Sequence, residues 1–108
     1  MLFTDRIKIT PVEVDTTYNT STKITDDEFF CSAYIEDNTE IGFGADGQPQ
    51  KPDFLFMLPP KTSIKLADII EIVQIHKREP FGSEEGEKQV KAIKRVGGIR
   101  ISHIEVAV

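Results

Sequence analysis

Residues 69–75, IIEIVQI, constrain this chain more than any other stretch. Ile and Val fall on both faces of a period-2 strand there, and only Glu71 and Gln74 are polar. A strand apolar on both faces has to be covered on both faces, so the pattern predicts a buried strand inside a barrel or sandwich. Upstream, residues 54–58 (FLFML) form a second apolar run, cut off by Pro59 and Pro60 and a polar turn. Asp68, just before the second run, suits a turn because its short side chain can accept bonds from nearby backbone amides. The expectation is a small β-fold with residues 69–75 at its centre. Its core would draw on Phe30, Tyr34, Phe56, Leu58, Ile70, Ile72, Val73 and Ile75.

The flanking segments extend the same reading. Ile7 and Ile9 alternate with Arg6, Lys8 and Thr10, the signature of a half-buried strand. Pro11 has no amide to donate, so the strand must meet an edge or bulge there, and Val12 and Val14 resume the alternation out of phase. Residues 15–23, DTTYNTSTK, are rich in turn formers and read as a loop. Residues 29–35, FFCSAYI, read as a strand of high β preference between acidic flanks.

Residues 38–52, NTEIGFGADGQPQKP, have no sustained apolar period, and a loop of this length in a small domain is usually functional or disordered. Its Gly42-x-Gly44-x-x-Gly47 spells the dinucleotide fingerprint. That fingerprint works only between a strand and a helix N-terminus, and the following Gln48-Pro49-Gln50-Lys51-Pro52 cannot start that helix. Asp46-Gly47 reads instead as a hairpin tip.

Residues 79–87 form a second loop. Residues 89–96 and 99–108 then flank Gly97-Gly98, a hairpin signal. Ile99 and Ile101 share one face of the last strand while Ile104, Val106 and Val108 share the other, so a one-residue bulge near Ser102 and His103 is expected. A short helix over residues 85–96 is the competing reading, because Val90, Ile93 and Val96 also fall at helical spacing. The fold class is therefore mainly β: one domain over 1–108, a small antiparallel β-barrel or sandwich with one long loop at about 38–52.

Composition and charge narrow the function classes. The chain has 108 residues, which leaves no room for a second core, and no apolar run approaches bilayer-spanning length. Cys31, the single cysteine, excludes an internal disulfide and reads as a buried thiol in a reducing compartment. A net charge of −5 argues against a tight grip on nucleic acid. The charge is uneven: residues 1–53 hold eleven acids and four bases, residues 54–108 seven acids and nine bases. That asymmetry suits either the acidic end of one copy meeting the basic end of another or simply two differently solvated stretches of surface.

Catalytic, cofactor and metal sites are not expected. His76 and His103 are isolated; His103 and Glu105 share a strand face but have no third ligand nearby. Glu84 and Glu85 lie in a Gly-rich loop where water should solvate them.

Several short motifs resemble one family. They are the turn Asp15-x-x-Tyr18-Asn19, the strand ending Ala33-Tyr34-Ile35-Glu36, the glycine-containing loop, residues 55–72 (LFMLPPKTSIKLADIIEI), and the closing Ser102-His103-Ile104-Glu105-Val106. Together these look like the minor capsid or head–tail connector proteins (head-completion, or stopper, proteins) of tailed bacteriophages and prophages. The resemblance implies a virion structural protein, not an enzyme, assembled in the bacterial host cytoplasm. It implies a homo-oligomeric ring bound to the portal or connector protein on one side and a tail-completion protein on the other, with no membrane. The loop residues Ile41, Gly42, Phe43, Gly44, Asp46, Gly47, Gln48 and Lys51 would then face the channel and touch packaged DNA transiently. The alternative is an OB-like nucleic-acid or ligand-binding barrel, which needs exposed aromatics interleaved with Lys and Arg on one sheet face.

Overall fold

The computed structural model describes residues 2–38 and 53–108. Nine strands account for most of them: β1 (Asp5–Thr10), β2 (Val12–Asp15), β3 (Thr20–Lys23), β4 (Phe29–Asn38), β5 (Asp53–Leu58), β6 (Ile69–Gln74), β7 (Lys88–Gln89), β8 (Ala92–Gly97) and β9 (Ile101–Ala107). Seven form one antiparallel sheet in the order β7-β6-β1-β4-β5-β9-β8, curled into a half-barrel, and β2 and β3 form a separate ribbon. The mainly β, antiparallel reading of the sequence holds.

Alternation decides which side chains fill the hollow. Cross-strand register sets Ile72, Ile7 and Cys31 in one row and Ile70, Ile9 and Phe29 in the next. Ile35, Phe56, Val106 and Ile93 make a third row on the other half of the sheet. Ile7, Ile9, Phe56, Leu58, Ile70 and Val106 are fully enclosed. Each such side chain contributes about 1.5–3 kcal/mol on leaving water, which makes this packing the main source of stability.

One short stretch of chain joins the two edges of the curled sheet. β7 and β8 are its opposite edges, yet only Val90 and Lys91 separate them in the chain. The Val90 amide donates to the Asp68 carbonyl beside β6, and the Lys91 amide donates to the Ala107 carbonyl of β9. One extended segment therefore serves both edges, and Val90 plugs the seam.

Five expectations need correction. β6 is not central but next to an edge, with β4 in the middle of the order. It is also covered on one face only. A bulge opposite Arg6 sends both Val73 and Gln74 outward, so that Ile75 can turn back to join Ile70 and Ile72 inside. Val73 is accordingly exposed rather than core, and so are Phe30 and Tyr34, because β4 alternates and Phe30, Ser32, Tyr34 and Glu36 face water. The helix over 85–96 does not form; β9 would otherwise keep a bare edge, and β8 satisfies it while putting Ile93 against the core. Residues 20–23 are not loop but the second strand of the ribbon, reached through the turn containing Asn19, whose φ is +52°.

Pro11 stands where the chain leaves the sheet, between β1 and β2, and its carbonyl accepts the Ile24 amide. The bulge in β9 is present: Val96 pairs with His103 but Gly97 with Ile101, leaving Ser102 as the extra residue. Gly97 has φ +142°, and a Cβ there would lie 2.1 Å from the Arg100 carbonyl oxygen, so only glycine fits.

Candidate interaction surface

Polar groups inside the barrel act as staples. Asp5, whose side chain is fully enclosed, accepts the backbone amides of Ile35 and His76, both at 2.8 Å. At the other end of β6, Asp68 accepts the amides of Val12 (3.1 Å) and Lys65 (3.0 Å) and pairs with the Lys65 ammonium. Two buried carboxylates thus hold β6 at both ends, one tying it to β4 and one to the foot of the ribbon. Between His76 and Lys77, with φ of +50° and +64°, the chain reverses in two residues, and Ile75 and Arg78 exchange both backbone bonds.

The 79–87 segment is anchored too, against the expectation of a solvated loop. Glu84 is buried and grips Arg78 through two bonds of 2.6 and 2.8 Å, while also accepting the Phe81 amide. The Arg78 bonds hold its carboxyl below the usual carboxylate range. Arg78 lies over the Phe81 ring. Lys88 donates to the carbonyls of Ser83, Glu84 and Glu85 and sits over Phe54, and its partial burial lowers its pKa. Every one of these charges already has a structural partner, so the network secures a turn rather than a ligand.

Chemically suggestive residues elsewhere resolve in the same way. Cys31 is half-buried, its thiol pushed up by burial and 3.6 Å from the Thr62 hydroxyl. His103 does lie beside Glu105, Nε2 to Oε1 3.3 Å, and Ser102 Oγ is 3.0 Å from Nδ1. The hydrogen bond from Ser102 to the Val96 carbonyl uses its one proton to pin the bulge, so the row is not set up as a nucleophile. Among the described residues no three His, Cys, Asp or Glu side chains gather as a metal site would require.

What the barrel leaves unburied is more informative. On the convex face of the sheet, Phe30 and Tyr34 of β4 stand exposed, at 57% and 37%. Register puts Lys8 beside Phe30 and Met57 beside Tyr34, and the Arg6 guanidinium lies 5.0 Å from the Phe30 ring centre. Leu2, Thr4, Tyr34, Glu36 and Met57 line an open, largely apolar hollow of about 430 Å³. Lys8 is shared by Glu28 (3.8 Å) and Glu71 (3.5 Å). Sequence reasoning missed this face because FFCSAYI is apolar on both sides; the strict alternation Phe30, Ser32, Tyr34, Glu36 was the available signal.

Two further surfaces project from the barrel. The ribbon carries Val14 and Tyr18 exposed at 50% and 77%, beside Glu13 and Asp15. The β8–β9 hairpin carries a fully exposed Ile99 amid exposed Lys94, Arg95 and Arg100. The predicted channel-loop residues between positions 41 and 51 lie outside the described residues. Set against protein-family models, characterised proteins and solved structures, the chain finds no match in any of the three.

Proposed function

We propose that this chain is a structural subunit of the head–tail connector of a tailed phage or prophage. In this reading identical copies form a ring that completes the head, helps retain packaged DNA and offers a docking surface to the tail. The sequence resemblance suggests the class, and the observation that carries it is the disposition of apolar side chains. The barrel fills its own hollow and still exposes large apolar groups on at least three separate surfaces, among them the Phe30–Tyr34 face, the ribbon and the β8–β9 hairpin. A ring subunit needs that many, two for its neighbours and another for the portal or tail-completion protein. The net charge of −5 suits a channel wall past which DNA must move without being held.

The test is quantitative mass spectrometry of density-purified particles from a host carrying the gene, paired with deletion of that gene. The chain should be present in ring-like copy number relative to the portal, and deletion should give heads that lose DNA and carry no tails. Absence from purified particles overturns the reading.

One observation favours a second reading, an OB-like single-strand binder. Phe30 and Tyr34 are exposed aromatics on one face with Arg6 and Lys8 beside them, the pattern such binding uses. Glu28, Glu36 and Glu71 border the same face and oppose a polyanion. Fluorescence anisotropy with a labelled oligothymidylate separates the two. A dissociation constant below about 1 μM at physiological salt, weakened by roughly 1–3 kcal/mol in Phe30→Ala, would favour the binder.

A further inference from the structure

We infer that copies of this chain associate head to tail, the acidic β2–β3 ribbon of one copy packing against the basic β8–β9 hairpin of the next. The inference deepens the connector reading and rests on it for closure into a ring, while the pairwise contact is measurable without any particle.

Charge is the first argument. Residues 12–28, which span the ribbon and the 3-10 turn after it, contain Glu13, Asp15, Asp26, Asp27 and Glu28, all exposed. Glu28 shares Lys8 with Glu71, and the one base of the segment, Lys23, is paired with Glu87. Residues 91–107 contain Lys91, Lys94, Arg95 and Arg100, all exposed, against one acid, Glu105, which lies opposite Lys94 in register. Among the described residues, no ion pair or hydrogen bond joins the ribbon to the hairpin within one copy. Opposite fields on two projections of one molecule attract between copies.

Shape and backbone supply the second argument. Among the described residues β8 has β9 on one side and no strand on the other, and β3 pairs only with β2. Each therefore presents a row of backbone donors and acceptors to which another strand can add. Apolar side chains stand ready at both places, Val14 and Tyr18 on the ribbon and Ile99 and Ile101 on the hairpin. A two-stranded ribbon alone is marginally stable, so a neighbour's strand would secure it. Because the two surfaces differ, the contact is heterologous, and repeating it generates a closed ring or an open filament rather than a twofold dimer.

The experiment is sedimentation velocity over a concentration series, on the intact chain and two charge-reversed variants. One is Glu13→Lys with Asp15→Lys, the other Lys94→Glu with Arg95→Glu. All four positions are exposed, and circular dichroism and thermal melts serve to check that both variants fold. The intact chain should associate with concentration, less so at 1 M salt, where the screening length falls from about 10 Å to about 3 Å. Each variant alone should associate at least about tenfold more weakly. An equimolar mixture should recover association, because each variant's altered surface then faces a complementary one. An intact chain that stays monomeric throughout overturns the inference. So does association that survives either reversal, or a mixture that fails to recover. Failure of the connector reading is registered separately, by absence of the chain from particles, whichever way sedimentation falls.

Discussion

Replacing Asp5 by alanine tests whether buried carboxylates, rather than strand pairing alone, fix this barrel. The side chain is fully enclosed and takes two amide bonds of 2.8 Å, from Ile35 in β4 and from His76 just past β6. A hydrogen bond to a charged group is worth about 1.5–3 kcal/mol net, and an amide left without a partner adds its own desolvation penalty. Two such bonds give about 3–6 kcal/mol. Relief of the desolvated carboxylate returns part of this, so we expect a net loss of about 3–5 kcal/mol. Small domains hold only about 5–15 kcal/mol in total, so the variant should be close to unfolding. In urea, with a slope near 1.5 kcal/mol/M, the midpoint should fall by roughly 2–3 M. Asp5→Asn should lose less, because one acceptor oxygen remains while its NH₂ faces a donor. His76→Ala provides the control: it keeps the backbone amide and removes only a half-exposed ring whose Nδ1 is 4.0 Å from Asp5. That change should cost under about 1 kcal/mol. A loss below about 1 kcal/mol in Asp5→Ala, with the slope unchanged, would mean that the two amides find other partners, and the stapling argument would be wrong.

Four other outcomes follow from the same structure. Ile72→Ala should cost about 2–5 kcal/mol in chemical denaturation, whereas Phe30→Ala, at an exposed site, should stay within about 0.5 kcal/mol. Lys77→Gly should stabilise by about 0.5–1 kcal/mol, since glycine accepts the positive φ of the 75–78 turn without a steric penalty; thermal melts would show it. Glu84 has a folded-state pKa depressed by Arg78, so its contribution is complete above the unfolded value of about 4.3 and vanishes as pH falls through the folded value. Acid unfolding of Glu84→Gln should therefore begin from a lower stability at neutral pH but show a shallower fall below about pH 4.3.

Much of the interior was legible in the sequence. Ile7 and Ile9, Phe56 and Leu58, and Ile70 and Ile72 keep period-2 spacing and lie inside, since burial on one face of a strand enforces that period. Asp68 was recognisable as a turn residue, although not as a tether reaching Val12 far up the chain. Phe30, Tyr34 and Val73 misled because an apolar residue on each face of a run does not say which face water keeps. That choice is made by strands elsewhere, and for Val73 by a bulge that no local pattern announces. TSTK, β3, has no apolar period at all and is a strand only because β2 lies beside it. Residues 89–96 were ambiguous between helix and strand because Val90, Ile93 and Val96 fall at helical spacing while Gly97-Gly98 signals a hairpin. The open flank of β9 resolves the ambiguity, and it is a long-range fact. The surfaces were half legible: opposite charge on the two ends of the chain was visible, but not that it concentrates on two projections.

The strand order of the sheet also sets an order in which a nascent chain can fold. β1, β4 and β6 find one another once residue 74 has been made, yet β5 then has β4 on one side and nothing on the other. Its second partner is β9, the final strand, and β8 cannot dock before β9 because β9 is what it pairs with. Until the C-terminal hairpin emerges from the ribosome, the FLFM run of β5 lies along a bare edge, apolar and rich in β-formers, the kind of segment that recruits other chains. Premature termination between β6 and β9 should therefore yield an insoluble product, and cellular quality control would meet that product as an aggregating fragment.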